Sequence, residues 1–284
     1  MRNNSTILLL GATGVVGTAV KKICYQQNIS CIAQSHQDIE IADCKQLINA
    51  IDKYNPSVAI NCVAIPSIDL CENAPETAIS LHCTSVLHLA KECGRRDITL
   101  IQPSSHAVFD GVKESPYIED DLVKATSVYS ATKLLSERIV IAYCPKHYIL
   151  RFPTLYGPRR NTGIGFVDKV INWIKDGKEL RIADDKMDSP TYSMDAAAAL
   201  ISIITENEPY GIYHIANNGW ISYYDFVLKI CELLKVENII HRAKDKEFAS
   251  ICHKPLRTAL KSAKIKHLRN YEEALREYLN DFVV

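Results

Sequence analysis

Residues 7–17 of the chain read Ile7-Leu8-Leu9-Leu10-Gly11-Ala12-Thr13-Gly14-Val15-Val16-Gly17. The apolar residues at the start predict a buried strand, and the periodic run Val15–Gln27 predicts a helix. Between them Gly11 permits a tight turn, Gly14 lets the backbone approach a pyrophosphate, and Gly17 allows the helix to pack closely on the strand. Free amides at the start of the helix would bind that pyrophosphate. We assign to the cofactor site Gly11, Thr13, Gly14, Val15, Val16 and Gly17.

Short apolar runs alternate with helical segments through the first half of the chain. The predicted strands are Ile7–Leu10, Ser30–Ala33, Val58–Asn61, Thr99–Gln102 and Tyr148–Arg151. The predicted helices are Val15–Gln27, Cys44–Tyr54, Ala78–Cys93 and one within Leu122–Cys144. Continuous apolar strands separated by helices indicate a parallel sheet that is covered on both faces. The fold class is therefore α/β, with a Rossmann-type, doubly wound parallel sheet.

The pattern loosens after about residue 155. Helices are predicted at Phe166–Lys175, Ser193–Thr205, Tyr223–Leu234 and Tyr271–Leu279, and a strand at Tyr213–Ile215. We expect a dinucleotide-binding domain over residues 1–155, with residues 190–216 folding back onto it. Residues 156–189 and 217–284 would form a smaller, braided substrate-binding lobe.

Composition excludes several classes of function. The 284 residues carry 33 Lys and Arg against 33 Asp and Glu, so the basic field of a nucleic-acid or membrane-surface binder is missing. No apolar run is long enough to span a membrane, and no Lys-Ser or Lys-Thr follows the glycines as in a P-loop. The ten cysteines show no C-x-x-C and no zinc spacing, which indicates reduced thiols, no metal site and a cytoplasmic protein.

Tyr129 and Lys133 are four residues apart in a helical segment, so their side chains would share one helix face. An ammonium near a phenol lowers the pKa of the phenol toward the range of a general acid. Ser105 follows the fourth predicted strand, where its hydroxyl would hold the same carbonyl oxygen. Ser105, Tyr129 and Lys133 are therefore the candidate catalytic residues, and Tyr129 and Lys133 are also assigned to the cofactor.

The second strand is followed by Gln34-Ser35-His36-Gln37-Asp38. Enzymes selective for NAD usually place an acidic side chain there, which repels a 2′-phosphate. The segment is polar and mostly uncharged, so we favour NADP(H) over NAD(H) and assign Ser35 to the cofactor. Asp38 keeps the NAD alternative open.

These motifs together resemble those of the extended short-chain dehydrogenase/reductases, and most closely the subgroup of dTDP-4-dehydrorhamnose reductases. The segment 104–111 reads S-S-H-A-V-F-D-G, similar to the subgroup's S-T-D-Y-V-F-D-G, and Leu150-Arg151 with Leu155-Tyr156-Gly157 matches its L-R-x-x-x-x-Y-G. Two blocks of the second half also match, Ser189-Pro190-Thr191-Tyr192 and Gly211–Asn217. The resemblance implies that Ser105, Tyr129 and Lys133 form the catalytic triad.

The same resemblance implies further cofactor contacts. Residues 39–43 are similar to the subgroup's L-D-I-T-D, whose central residues flank the adenine, and residues 61–64 are similar to its N-A-A-A. On this basis we assign to the cofactor Glu40, Ile41, Cys62, Val63 and Ala64.

The departures from the subgroup fall where a substrate would bind. Its Asp-Tyr after the catalytic threonine is His106-Ala107 here, a tryptophan is Thr154, and an asparagine is His82. Because specificity follows pocket contacts, these changes leave the sugar open. We assign to the substrate His106, Ala107, Thr154 and Arg257, with His106 either lining the pocket or relaying a proton. Candidate ligands of a substrate diphosphate are Arg159, Arg160, Lys254 and Arg257.

The resemblance implies a reductase that uses NAD(P)H to reduce the 4-keto group of a nucleotide-activated deoxysugar in polysaccharide biosynthesis. An epimerase of the same fold is one alternative. Another is an NADP-binding regulatory subunit, because Arg151-Phe152-Pro153-Thr154-Leu155-Tyr156-Gly157 also matches the R-x-P-x-L-Y-G of the methionine adenosyltransferase beta subunit. The expected partner is a nucleotide-sugar substrate. We expect no binding to nucleic acid or to a membrane. A homodimer is a possible assembly.

Overall fold

The computed structural model describes residues 6–159, 165–237 and 239–280. The strands are β1 (Ile7–Leu10), β2 (Cys31–Gln34), β3 (Val58–Asn61), β4 (Thr99–Ser105), β5 (His147–Phe152), β6 (Leu155–Tyr156), β7 (Leu180–Ala183), β8 (Met187–Asp188), β9 (Thr191–Tyr192), β10 (Gly211–His214), β11 (Ile221–Ser222) and β12 (Ile240–Ala243). The helices are α1 (Val15–Gln26), α2 (Cys44–Tyr54), α3 (Ile68–Asn73), α4 (Pro75–Ile79), α5 (Ser85–Arg95), α6 (Val128–Tyr143), α7 (Phe166–Lys175), α8 (Ser193–Thr205), α9 (Tyr223–Leu234) and α10 (Tyr271–Asn280).

Six parallel strands form the central sheet in the order β2-β1-β3-β4-β5-β10. In its register Leu9 of β1 lies opposite Ala33 of β2 and Ile60 of β3. The strand order reverses at β1, since the chain leaves β1 toward β2 on one side and later returns to β3 on the other. Ligands of such sheets bind beyond the carboxyl ends of the strands at this point.

Alternate side chains of β1 enter two different cores. Ile7 and Leu9 pack with α1 and α8, while Leu8 and Leu10 pack with α2, α5 and α6. All four side chains are buried, which explains why the strand reads as a continuous apolar run. The parallel sheet with helices on both faces confirms the predicted α/β, doubly wound fold.

The second half of the chain has a core of its own. Helices α7, α9 and α10 pack around the buried rings of Tyr156 and Tyr192. Three short strand pairs, β6–β9, β8–β11 and β7–β12, surround this core. Strand β10 and helix α8 also come from the second half, yet β10 pairs with β5 and α8 packs on α1. The chain therefore passes from the sheet to the smaller core, back to the sheet and again to the smaller core.

The helix predicted at Ala78–Cys93 is interrupted. A turn of π-helix at Ser80–Thr84 separates α4 from α5, and helix α3, which begins after the cap residue Ser67, was not predicted. A π-helical turn inside a helix often marks a functional site, and this one carries the buried ring of His82. Among the described residues, no helix has the length and apolar character to cross a membrane.

Candidate active site

The glycine turn connects β1 to α1 at the carboxyl edge of the sheet. Gly11 has φ +76°, and a Cβ there would lie 2.8 Å from the backbone of Cys62, so only glycine fits. A Cβ on Gly17 would lie 2.2 Å from the Gly11 carbonyl oxygen, whereas a Cβ on Gly14 would meet nothing closer than 3.6 Å. The fold thus leaves room for a methyl group at Gly14.

The start of α1 suits an anionic ligand. Gly14 is the cap residue, no side chain caps the helix, and its first turn holds no acidic residue. The first intrahelical bond recorded there runs from the Thr18 amide to the Gly14 carbonyl oxygen. The preceding amides, those of Val15, Val16 and Gly17, can therefore bind phosphate oxygens at the positive end of the helix. This cradle fits the pyrophosphate of a dinucleotide.

Asp38 folds back onto the end of β2. Its carboxylate accepts hydrogen bonds from the amide (2.8 Å) and the hydroxyl (2.7 Å) of Ser35. These hydrogen bonds hold the pKa of Asp38 below its usual value. A negative charge consequently lies next to Ser35, at the position that commonly reads the ribose of the cofactor.

The other predicted cofactor residues lie in two segments near the glycine turn. Cys62 and Val63 follow β3 directly beside Gly11, and Ala64 is exposed. Ile41 is buried among the residues that pack on Leu8 and Leu10, so any cofactor contact would come from its backbone. The carboxylate of Glu40 accepts a hydrogen bond from the amide of Ala42 and thereby shapes this loop.

Ser105, Tyr129 and Lys133 meet at the carboxyl end of β4. Ser105 is the last residue of β4, and its hydroxyl acts to lower the pKa of the Tyr129 phenol. Helix α6 begins with a capping box between Ser127 and Ser130, which places Tyr129 and Lys133 one turn apart at its start. The ammonium of Lys133 donates a 2.6 Å hydrogen bond to the Pro103 carbonyl oxygen of β4.

The expectation that Lys133 lowers the pKa of Tyr129 is wrong for this geometry. Burial raises the pKa of Tyr129, and the hydrogen bond with Ser105 offsets this only in part. Lys133 is engaged by Pro103 instead, and burial lowers its own pKa to about 8 although Glu137 acts in the opposite direction. A phenol that remains protonated at neutral pH is the form that donates a proton.

A buried ion pair anchors the catalytic helix to the sheet. Both carboxylate oxygens of Glu137 on α6 accept from the guanidinium of Arg151 on β5, at 2.9 and 2.8 Å. The hydroxyl of Ser104 donates to the same carboxylate at 2.5 Å. Glu137 lies one turn beyond Lys133, so the pair fixes the position and part of the electrostatic environment of that ammonium.

His82 links the catalytic helix to the loop after β3. Its Nε2 accepts from the amide of Ile65 at 2.9 Å, so Nδ1 carries the proton and donates to Thr132 Oγ1 at 2.9 Å. Burial and the charge of Lys133 lower the pKa of His82 to about 3, which keeps the ring neutral. The ring also lies edge-on to Tyr129, with 6.0 Å between the centroids.

The predicted substrate residues His106 and Thr154 share a partner that the sequence did not reveal. His106 Nδ1 lies 3.1 Å from Asp188 Oδ1, and the amide of Thr154 donates to Asp188 Oδ2 at 3.2 Å. Tyr223 completes the group through a 2.9 Å hydrogen bond with Thr154 Oγ1. Ala107 is buried, and its amide donates to Ser105 Oγ at 3.1 Å.

The candidate diphosphate ligands differ in how strongly acidic side chains hold them. Lys254 pairs with Asp69 at 2.9 Å, while Arg257 and Arg159 make only long contacts, with Glu114 at 3.4 Å and with Asp168 at 3.8 Å. The backbone of Arg257 runs beside Met187 of β8, next to Asp188. Arg160 lies outside the described residues.

Sequence reasoning missed Asp188, Tyr223 and Glu137. Asp188 immediately precedes the matched block that begins at Ser189, which was its one available signal. Within the described residues, no three His, Cys, Asp or Glu side chains cluster in a way that would hold a metal ion.

Comparison with known proteins gives consistent matches along the whole chain. The family model described as RmlD substrate binding domain matches residues 5–284. The spore coat polysaccharide biosynthesis protein SpsK of Bacillus subtilis is 29% identical over 279 residues, 97% of each chain.

Two crystal structures share the architecture. A dTDP-4-dehydrorhamnose reductase from Clostridium acetobutylicum superposes with a TM-score of 0.92 at 29% identity, covering 98% of this chain and 100% of that one. A dTDP-4-dehydrorhamnose reductase from Bacillus anthracis in complex with NADP superposes with the same TM-score at 22% identity, covering 98% and 99%. At 22% identity, the likeness to the Bacillus anthracis reductase shows a common fold alone.

Proposed function

The chain belongs to the RmlD substrate binding domain family, and we propose that it reduces the 4-keto group of a dTDP-linked deoxysugar with NAD(P)H. The observation that carries the proposal is the convergence of Ser105, Tyr129 and Lys133 at the end of β4, beside the switch point of the sheet. The dTDP-4-dehydrorhamnose reductase from Clostridium acetobutylicum, similar over its whole length, supports this substrate class.

Each residue of the triad has a distinct task. A bound nicotinamide dinucleotide supplies the hydride that reaches the carbonyl carbon. Tyr129, protonated at neutral pH, donates a proton to the oxygen on which negative charge develops. Ser105 donates a hydrogen bond to the same oxygen and holds it beside the phenol. Lys133, whose ammonium is held by the Pro103 carbonyl oxygen, binds the nicotinamide ribose.

The preferred cofactor is NADP(H) in this proposal. The run Ser35-His36-Gln37 supports it because a hydroxyl, an imidazole and an amide can all donate to a 2′-phosphate. The related reductase from Bacillus anthracis also binds NADP. The carboxylate of Asp38, bonded to Ser35, opposes it by charge repulsion, which makes Asp38 the residue to test.

We assign the two parts of the chain to the two ligands. Residues 1–155 with 190–216 bind the dinucleotide, since they supply the six-stranded sheet and the helices around it. Residues 156–189 and 217–284 hold the sugar nucleotide, with Thr154 and Arg257 at the boundary. The cysteines are all free thiols, which supports a reducing compartment such as the cytoplasm.

The test is NADPH oxidation with dTDP-linked 4-keto-6-deoxyhexoses. We expect wild-type protein to turn over at least one of them, and Tyr129→Phe to bind NADPH normally while kcat falls about 10²- to 10⁴-fold. Tyr143→Phe is the matched control, because Tyr143 is an exposed tyrosine of the same helix and its loss leaves kcat unchanged.

Two results would contradict the proposal. Wild-type rates in Tyr129→Phe would remove the phenol from the mechanism. Tight NADPH binding without turnover of any nucleotide-linked 4-keto sugar would instead favour the regulatory-subunit alternative.

A further inference from the structure

The imidazole of His106 and the carboxylate of Asp188 form a hydrogen-bonded pair that the reductase mechanism does not use. The two residues are 82 positions apart, and Nδ1 lies 3.1 Å from Oδ1. His106 opens a 3₁₀ turn directly after Ser105, whereas Asp188 belongs to β8 of the second half. The pair therefore joins the catalytic edge of the sheet to the substrate-binding part of the chain.

Asp188 is held as a buried, fully bonded carboxylate, with only 3% of its surface exposed. Besides His106, Oδ1 accepts from the Ser189 amide at 2.8 Å, and Oδ2 accepts from the Thr154 amide at 3.2 Å and the Tyr223 hydroxyl at 3.5 Å. Burial raises the pKa of Asp188, but His106 and these hydrogen bonds outweigh it, so the pKa lies below its usual value. At neutral pH the carboxylate accepts hydrogen bonds and donates none.

This carboxylate fixes the tautomer of His106. An acceptor at Nδ1 requires that Nδ1 carry the hydrogen, which leaves the lone pair of a neutral ring on Nε2. Among the described residues no hydrogen bond engages Nε2, and 19% of the side chain is exposed. The buried histidines differ, since His82 and His214 each use both ring nitrogens in contacts with protein.

We propose that His106 and Asp188 form a second acid–base pair, which exchanges a hydrogen on a carbon next to the ketone of the bound sugar. This inference rests on the proposed function, because it requires a keto sugar in the site. Ser105 would hold the ketone oxygen, and His106 is the next residue, about 3.8 Å away between Cα atoms. The proposal places the neighbouring carbon of the sugar beside Nε2 of His106.

The exchange step is balanced without a reductant. Nε2 takes the proton from the carbon, the C–H electron pair forms a C=C bond, and the C=O electron pair moves to the oxygen. Ser105 and Tyr129 stabilise that oxygen by hydrogen bonds. The imidazolium exchanges its proton with solvent and returns it to the carbon, which restores the ketone.

The test measures deuterium incorporation. Full-length protein with NADP⁺ and no reduced cofactor is incubated in D₂O with a dTDP-linked 4-keto-6-deoxyhexose that the protein reduces, and deuterium on the carbons next to the ketone is followed by NMR. We expect wild-type exchange at least tenfold above the rate without protein. In His106→Gln and in Asp188→Asn, exchange should fall at least tenfold more than kcat for reduction. His241→Gln is the matched control, because His241 pairs with Glu179 on the surface.

The outcomes separate this inference from the proposed function. Reduction without exchange in the wild type overturns the inference and leaves the reductase intact. Equal losses of exchange and reduction in His106→Gln, with unchanged thermal stability, also overturn it, because His106 would then only bind substrate. Failure to reduce any keto sugar contradicts the proposed function itself.

Discussion

The candidate active site has a cofactor side and a substrate side, and the two are built from different chemical groups. The proposed cofactor side offers backbone groups, in the glycine turn after β1 and the segment after β3, which touch at Gly11 and Cys62. The proposed substrate side offers side chains of distant segments, where His106, Thr154 and Tyr223 all contact Asp188.

The difference explains what a sequence change can do on each side. A backbone site tolerates most substitutions as long as its glycines remain, because peptide amides do not vary with the side chain. A side-chain site changes its hydrogen bonding with each replacement. Most substitutions on the cofactor side should therefore leave the class of cofactor unchanged, whereas substitutions at residues such as 106, 107 and 154 should alter the proposed substrate site.

The largest effect on stability is expected at the buried Glu137–Arg151 pair, which joins α6 to β5 next to both sides of the site. Glu137→Gln leaves the Arg151 charge buried without its partner, so the free energy of unfolding should fall by about 3–5 kcal/mol. Because the Glu137 carboxylate raises the pKa of Lys133, its loss should lower that pKa further below about 8. The alkaline fall in kcat should then begin at lower pH. Denaturant unfolding and a pH–rate profile measure the two effects.

Glu277→Gln serves as the control, because Glu277 pairs with Arg269 at the surface and such pairs contribute at most about 1 kcal/mol. Unchanged stability in Glu137→Gln would show that the pair does not anchor α6. Apolar packing alone would then hold α6 against the sheet.

A pair of glycine variants tests the backbone site. Gly17→Ala places a methyl 2.2 Å from the Gly11 carbonyl oxygen, so the free energy of unfolding should fall by about 1–3 kcal/mol. Gly14→Ala has room in the fold and a compatible φ of −69°, so its stability should change by less than about 1 kcal/mol. Its methyl stands where a pyrophosphate approaches, so the Kd for NADPH should rise about tenfold or more.

Thermal unfolding and calorimetric titration distinguish these variants. If Gly14→Ala binds NADPH as the wild type does, the glycine turn is structural only, and the contrast between the two sides disappears.

The smallest effect is expected on cofactor preference, at Asp38, a side chain that lies next to the otherwise backbone-built cofactor side. Asp38→Asn removes an exposed charge beside the proposed ribose position, so the ratio of kcat/KM for NADPH over NADH should rise about fivefold. Asp97→Asn, at an exposed ion pair with Lys146, provides the control. A ratio that does not change would place the 2′ position away from Asp38.

Much of the fold was predictable because its signals are local. The apolar run of β1, the glycine spacing and the bounds of α7, α8 and α9 follow from periodicity within single segments. The π-helical turn at His82 was not predictable, because two contacts from outside the helix hold that ring, Ile65 and Thr132.

The sequence by itself determined the class of cofactor and singled out Ser105, Tyr129 and Lys133 as the candidate catalytic residues, since each motif is short and its spacing sets its geometry. Only the tertiary structure decided that Lys133 is held by Pro103 rather than lowering the pKa of Tyr129, and that Asp188 reaches His106. Both depend on burial and on contacts between segments far apart in the chain. Such contacts leave no local pattern, because any polar residue can occupy the partner position once folding brings it near.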